Sequence, residues 1–425
     1  MNDPIDFVLG SFEGASIDGA TADRLADGMP GVTLFREPNV ENGDQVVDLC
    51  AQIHGQSGDL PALIAVDQEG GQLQALSGIV TDFPGNMALA ACRDIDLAER
   101  VGAAIGHELR ALGITVNYAP VCDLLTMPTN HGLSIRSYGD DPTAAADLAV
   151  AQIVGLQSAG VAATAKHFPG KGAATVDTHY ATAVIARTRA EFDAYELVPF
   201  RAAIRADVRM MMTSHAICPA LSPGNERPAT LSPEILTAML REELGFVGVT
   251  VTDALDMAAV GAADQADATE SLDAIRAGSD LLLTTPQMAI DALRSGLRSA
   301  NELTPIDSAA LAMSKDRVRR LREWLSRAPV PDPSVVGSAT HRTLADEVAR
   351  RSITEVSVES PQGPVDRDCV VIQPALENLT PADTTTAAGA ALAAELGALG
   401  LSPAEHIVGH APTTSEIDRA VSASA

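Results

Sequence analysis

The residues best suited to do chemistry lie between Val161 and Tyr180, in VAATAKHFPGKGAATVDTHY. A short apolar run, Val161–Ala165, reads as a buried strand and ends abruptly at Lys166 and His167. Pro169, Gly170 and Gly172 then break regular structure into a loop. That loop carries Asp177 and His179, two residues apart. Residues so spaced in an extended segment point to the same side, so the carboxylate can hold the imidazole. A His titrates near neutrality, and an Asp beside it fixes its tautomer and stabilises its cation. The pair is therefore a candidate general acid and base. Taken singly, Lys166 and His167 read as a solvated pair and His179 as a surface residue; the whole string reads as a catalytic constellation.

Other polar residues fall at the ends of apolar runs in the same way. Asp67 closes PALIAVD, Asp123 closes NYAPVCD, His215 closes RMMMTSH and Asp253 closes FVGVTVTD. One Asp after a strand is commonly a helix N-cap. Several at once call for a fold that gathers strand ends. Strands are expected at Phe7–Gly10, Gly31–Phe35, Ala62–Asp67, Val116–Ala119, Val161–Ala165, Arg209–Thr213, Val247–Thr252 and Asp280–Thr284. Between most of them lie Ala/Leu-rich stretches with helical spacing, such as Asp96–Leu112 and Thr143–Ala159. Alternating β and α units predict parallel strands with helices outside. About eight repeats in ~330 residues fit a (β/α)8 TIM-type barrel, whose active sites form at the C-terminal ends of the strands. A doubly wound sheet is the rival, but no GxGxxG follows a strand.

Lys166-His167-Phe168-Pro169-Gly170, then Gly172, then Asp177-Thr178-His179, resembles the KHFPGxGxxxxD[S/T]H signature of glycoside hydrolase family 3, and in particular its β-N-acetylglucosaminidase branch. Further segments extend the resemblance over about residues 1–330: Gly31–Phe35 with Asn39 and Asn42, Asp67–Gly71, Asn117–Asp123, Arg136–Gly139 with Asp141-Pro142, Met212–His215, and Thr252–Met257. The resemblance implies that Asp253 is the nucleophile, His179 the general acid/base and Asp177 its partner. It also implies that Asp67 and Arg136 contact the sugar. Lys166 and His167 are then read as further donors and acceptors for sugar hydroxyls, since charged side chains offset desolvation with strong, directional hydrogen bonds.

These roles suit the residues. A retaining glycosidase needs one group below the anomeric carbon and another near the leaving oxygen. An Asp at a strand end suits the first and a loop His the second. Asp256 competes with Asp253 locally, but three residues on it belongs to the first turn of the next helix. A His in place of a Glu as acid/base removes a negative charge, so phosphorolysis stays open beside hydrolysis. There are departures as well. Gln72 and Ala75 stand where the family often has Arg, and Lys171 where a His is common. Lys171 is given no catalytic role. A β-glucosidase-like hydrolase is the alternative within the enzyme class, and a barrel that binds sugar without catalysis is the alternative outside it.

Composition narrows the partners. With 29 Lys+Arg against 56 Asp+Glu the net charge is −27, which argues against nucleic acid or an anionic membrane. The expected partner is a small carbohydrate; oligomeric state is left open. Five scattered cysteines with no CxxC spacing fit reduced thiols, and no HxH or HExxH pattern calls for a metal or other cofactor. The N-terminus shows no basic start followed by an apolar run, so a cytoplasmic location is expected. The expected organisation is a catalytic barrel over 1–326, a Pro-rich linker over 327–337 and a partial α/β domain over 338–425. That last segment holds strand candidates at Cys369–Gln373 and His406–Gly409, with helices at His341–Ile353, Thr386–Leu399 and Glu416–Ser422. Its length is expected of a natural remnant or a shortened chain.

Overall fold

A computed structural model describes residues 3–130, 132–174, 183–224, 227–255, 268–286, 288–354, 368–374, 397–398, 400 and 402–408. The chain divides into two compact units between residues 353 and 354.

In the first unit eight parallel strands follow one another: β1 Val8–Gly10, β2 Gly31–Thr33, β3 Leu63–Val66, β4 Val116–Asn117, β5 Ala162–Phe168, β6 Met210–Thr213, β7 Val249–Val251 and β8 Leu282–Leu283. Each pairs with its sequence neighbours, and β8 pairs with β1 through Val8↔Leu282 and Leu9↔Leu283. A bridge between Val251 and Leu281 joins β7 to the start of β8 and closes the ring. This is the expected (β/α)8 barrel, and every strand overlaps its sequence expectation.

The two-residue period of the strands sorts their side chains into two layers. Leu9, Leu63, Ala65, Val116, Tyr118, Ala162, Met210, Met212, Val249, Val251 and Leu283 fill the interior. Their neighbours Val8, Ile64, Val66, Ala163, Ala165 and Met211 pack outward against the helices. The helices start where short polar side chains can take up the first backbone N–H groups. Asp94 accepts from Leu97 N ahead of Ile95–Ala111, and Asp141 accepts from Thr143 N and Ala144 N ahead of Pro142–Ser158.

The helix Ser308–Arg327 closes the N-terminal end of the barrel. Its Val318, Leu321 and Leu325 join the interior cluster. Arg317 pairs with Asp280 just before β8, and Arg322 donates to the carbonyls of Ser57, Leu60 and Pro61 just before β3. One end of the barrel is thus a floor, and the other is left as a mouth.

The sequence places a linker over 327–337 and a separate domain from 338, whereas the contacts divide later. Arg110 donates to the carbonyls of Leu325, Ala328 and Pro329, so the proline-rich stretch is tied down rather than free. The helix Ala339–Arg351 then buries Leu344, Ala345 and Val348 within the first unit, and its His341 Nδ1 lies 2.6 Å from Glu108 Oε1. In the second unit, β9 Asp368–Pro374 pairs in parallel with β10 Ser402–Val408, as an α/β layer requires. The helices expected near Thr386–Leu399 and Glu416–Ser422 lie largely outside the described residues. Among the described residues no helix is long and apolar enough to cross a membrane.

Candidate active site

The mouth is assembled from loops that are themselves pinned by backbone hydrogen bonds. After β3 the chain forms a small hairpin of Gln68–Gly70 with Leu73–Gln74. Asn117 on β4 holds that hairpin, accepting from Gln68 N and donating to Gln68 O at 3.0 Å each. Strand β5 does not stop at the last apolar residue. After a bulge, Phe168 still pairs with Thr213 on β6, so Lys166 and His167 sit inside the ladder rather than in a loop. Two glycines in the turn that follows are sterically required. Gly170 has φ +115° and packs on Glu196, and a Cβ on Gly172 would lie 1.6 Å from Leu124 O.

Four charged groups run in a row from the interior outward. Glu69 accepts from Arg136 Nε at 2.9 Å and Nη2 at 2.8 Å, a bidentate fork. Lys166 Nζ lies 2.5 Å from Glu69 Oε1 and 2.6 Å from Asp67 Oδ1. Burial alone would raise the Glu69 pKa, but the charges of Arg136 and Lys166 hold it at about 2. Burial likewise works against charged Lys166, and Asp67 and Glu69 outweigh it, so its pKa is raised. The side chains of Lys166 and Glu69 are 2% exposed, whereas that of Asp67 is 30% exposed. The row therefore delivers a fixed charge pattern to the surface through Asp67.

A second cluster centres on buried Asp123. Its Oδ2 lies 2.6 Å from His167 Nδ1, and its Oδ1 accepts from Lys171 N at 2.8 Å. Burial pushes the Asp123 carboxyl up to about 6, against the pull of the Lys171 charge. With its Nδ1 on Asp123, His167 turns Nε2 toward Asp253, 3.9 Å from Oδ2. Lys171 Nζ stands at the same 3.9 Å from that oxygen. The other oxygen of Asp253 accepts from Ala254 N at 2.9 Å, which fixes the carboxylate's orientation. Behind it, His215 is 1% exposed, with Nε2 donating to Ala254 O at 3.0 Å and Nδ1 2.9 Å from Thr230 Oγ1. Burial lowers the His215 pKa, which favours a neutral ring that props the Ala254 peptide.

The structure therefore brings Asp67, Arg136, Lys166, His167 and Asp253 to one mouth. Asp177, His179 and the competitor Asp256 lie outside the described residues. Arg136 is 6% exposed, and besides Glu69 its Nη1 donates to Gly132 O at 2.9 Å. Much of its fork is thus turned to the protein. Ala75, where the family often has Arg, is buried in the core. Asp123 and His215 were expected at the mouth from the sequence but given no role, and two further residues of this assembly, Glu69 and Lys171, were not singled out for the site. Asp123 and His215 carried a signal, each closing an apolar run; Glu69 carried one only as part of DQEGG. Among the described residues no group of three or more His, Cys, Asp or Glu is placed to hold a metal ion. What the arrangement offers is a fixed carboxylate that reaches solvent, flanked by a nitrogen-rich wall and by a charge row suited to hydroxyl groups.

Comparison with known proteins agrees with that chemistry. Residues 16–321 match the family model described as the glycosyl hydrolase family 3 N terminal domain. The chain is 35% identical over 355 residues to beta-hexosaminidase A of Pseudoalteromonas piscicida, spanning 77% of this chain but only 59% of that enzyme. It is 37% identical over 320 residues to a beta-hexosaminidase of Stenotrophomonas maltophilia, covering 71% of this chain and 93% of that one. A solved glycoside hydrolase family 3 beta-N-acetylglucosaminidase from Paenibacillus sp. superposes with a TM-score of 0.90 at 32% identity, covering 100% of this chain and 82% of the other.

Proposed function

Because the chain belongs to glycoside hydrolase family 3, we propose that it is a retaining exo-β-N-acetylglucosaminidase that removes terminal β-linked N-acetylglucosamine by double displacement. Asp253 attacks the anomeric carbon while His179, partnered by Asp177, protonates the leaving oxygen. His179 then takes a proton from water as that water displaces Asp253. Asp67, Lys166 and His167 hold the sugar hydroxyls, and Arg136 fixes Glu69 and through it Lys166. The observation that carries this reading is Asp253 itself. Its Oδ1 is pinned by Ala254 N at 2.9 Å, and its Oδ2 stands 3.9 Å from both His167 Nε2 and Lys171 Nζ. Cell-wall muropeptides and chitooligosaccharides are the natural sources of such a sugar. A cytoplasmic site of action is supported by free Cys50, Cys92, Cys122 and Cys218.

The test is turnover of an aryl β-N-acetylglucosaminide followed by proton NMR. The reading predicts release of N-acetylglucosamine with the β-anomer appearing first. An initial α-anomer contradicts double displacement, no turnover contradicts the enzyme, and sugar 1-phosphate formed in phosphate buffer turns hydrolysis into phosphorolysis.

A further inference from the structure

Lys171 lies in the loop just beyond β5, where its type and position gave no reason to assign it a role. Its backbone N donates to Asp123 Oδ1 at 2.8 Å, the same carboxylate whose other oxygen takes His167 Nδ1 at 2.6 Å. One buried Asp therefore sets the position of both residues that stand 3.9 Å from Asp253 Oδ2. The Lys171 side chain is 7% exposed and that of Asp253 13%, so solvent screens the pair little. The turn that carries Lys171 is further held where Gly172 packs on the Leu124 backbone.

We propose that Lys171 is a positioning residue whose ammonium tunes Asp253 as a leaving group, accelerating the second half of the reaction; this rests on the reading of Asp253 as nucleophile. In the first step the Asp253 oxygen bonds to the anomeric carbon, the bond to the departing oxygen breaks, and the carboxylate gives up its charge. A neighbouring cation opposes that loss. In the second step a water oxygen bonds to the anomeric carbon, its proton passes to His179, and the electron pair of the breaking ester bond returns to Asp253. A cation at 3.9 Å stabilises the charge that reappears there.

The test is Lys171→Met, with Lys171→Arg as the conservative control and Asp253→Ala alongside, all assayed on an aryl β-N-acetylglucosaminide. A cation this close to the charge that reappears on Asp253 is expected to account for about tenfold of the second step's rate. Lys171→Met is therefore expected to lower kcat about tenfold and KM by more, so that kcat/KM near neutrality is kept or raised. A pre-steady-state burst should appear as the covalent intermediate accumulates. Lys171→Arg should restore most of kcat. If kcat/KM and kcat fall together at every pH with no burst, or if Lys171→Arg fails like Lys171→Met, the inference is overturned and Lys171 only holds its turn. If Lys171→Met does not fold, the Arg variant decides alone: it must keep wild-type kcat and show no burst. Should Asp253→Ala retain turnover, the nucleophile assignment falls and takes this inference with it; an inactive Asp253→Ala beside an unaffected Lys171→Met sinks the inference alone.

Discussion

Each end of the barrel buries one carboxylate between two cations. At the mouth Glu69 lies between Arg136 and Lys166; at the floor Asp280 lies between Arg241 at 2.7 Å and Arg317 at 2.6 Å. In both, burial works against the charged acid and the two cations overturn it, so both pKa values are lowered. The difference lies in what is done with the remaining charge. At the floor it is consumed locally: Thr250 N also donates to Asp280 Oδ2, and Arg317 ties the closing helix Ser308–Arg327 to the barrel. At the mouth it is passed on, because Lys166 is shared with Asp67, whose side chain is 30% exposed. The same buried device is thus a staple at one end and, on the proposed function, a template for ligand at the other.

The largest way to probe the mouth is through the proton donor assigned to its loop. His179→Ala should lose ~10² to 10⁴ in kcat/KM on a disaccharide, the usual worth of general acid catalysis. On an aryl glycoside, whose phenolate leaves with little help, the loss in the first step should be far smaller. Equal losses on both substrates with a lowered melting temperature would make the loop scaffold.

The next substitutions set the two ends directly against each other. Removing one member of a buried ion network costs about 3–5 kcal/mol, because the remaining charges stay buried. Glu69→Gln and Asp280→Asn should therefore destabilise to a similar degree in chemical denaturation. Activity per folded molecule should separate them: Asp280→Asn keeps kcat/KM within a few-fold, while Glu69→Gln loses most of it. Equal activity in the two variants would show that the mouth network is as purely structural as the floor.

The smallest expected effect is on acid stability. Both acids have lowered pKa values in the fold, so their stabilisation is complete above the ordinary carboxylate range and is lost as pH falls through the folded values. For Glu69 that window runs from about 4.5 down to about 2. Melting temperature should drop across it, and Glu69→Gln should flatten the drop. An unchanged slope in the variant would mean that Glu69 is not held ionised by its partners.

Much of the barrel was legible because it is written in local pattern. Each expected strand overlaps an observed one, since parallel buried strands read as short apolar runs between helical stretches. The errors came where tertiary pairing outlasts local pattern. β5 runs through Lys166 and His167 to Phe168, although the polarity changes at Ala165, because Thr213 offers a partner across the bulge. The helix Ala339–Arg351 belongs with the barrel because His341 meets Glu108, a pairing across more than two hundred residues that no window of sequence contains. The site divides in the same way. Asp67, Lys166, His167 and Asp253 stood out because polar residues closing apolar runs are conspicuous. Glu69 and Lys171 did not, since their meaning comes from Arg136 and Asp253, which approach only in the fold.

The account stands or falls on Asp253 as the group that bonds to the sugar. An activated N-acetylglucosaminyl analogue with a fluorine that slows the second step would trap the intermediate, and peptide mapping would locate it. The proposed function predicts one label per chain, on Asp253 in the peptide that follows β7. A label on Asp256, on either member of the Asp177–His179 pair, or anywhere on the floor would contradict it.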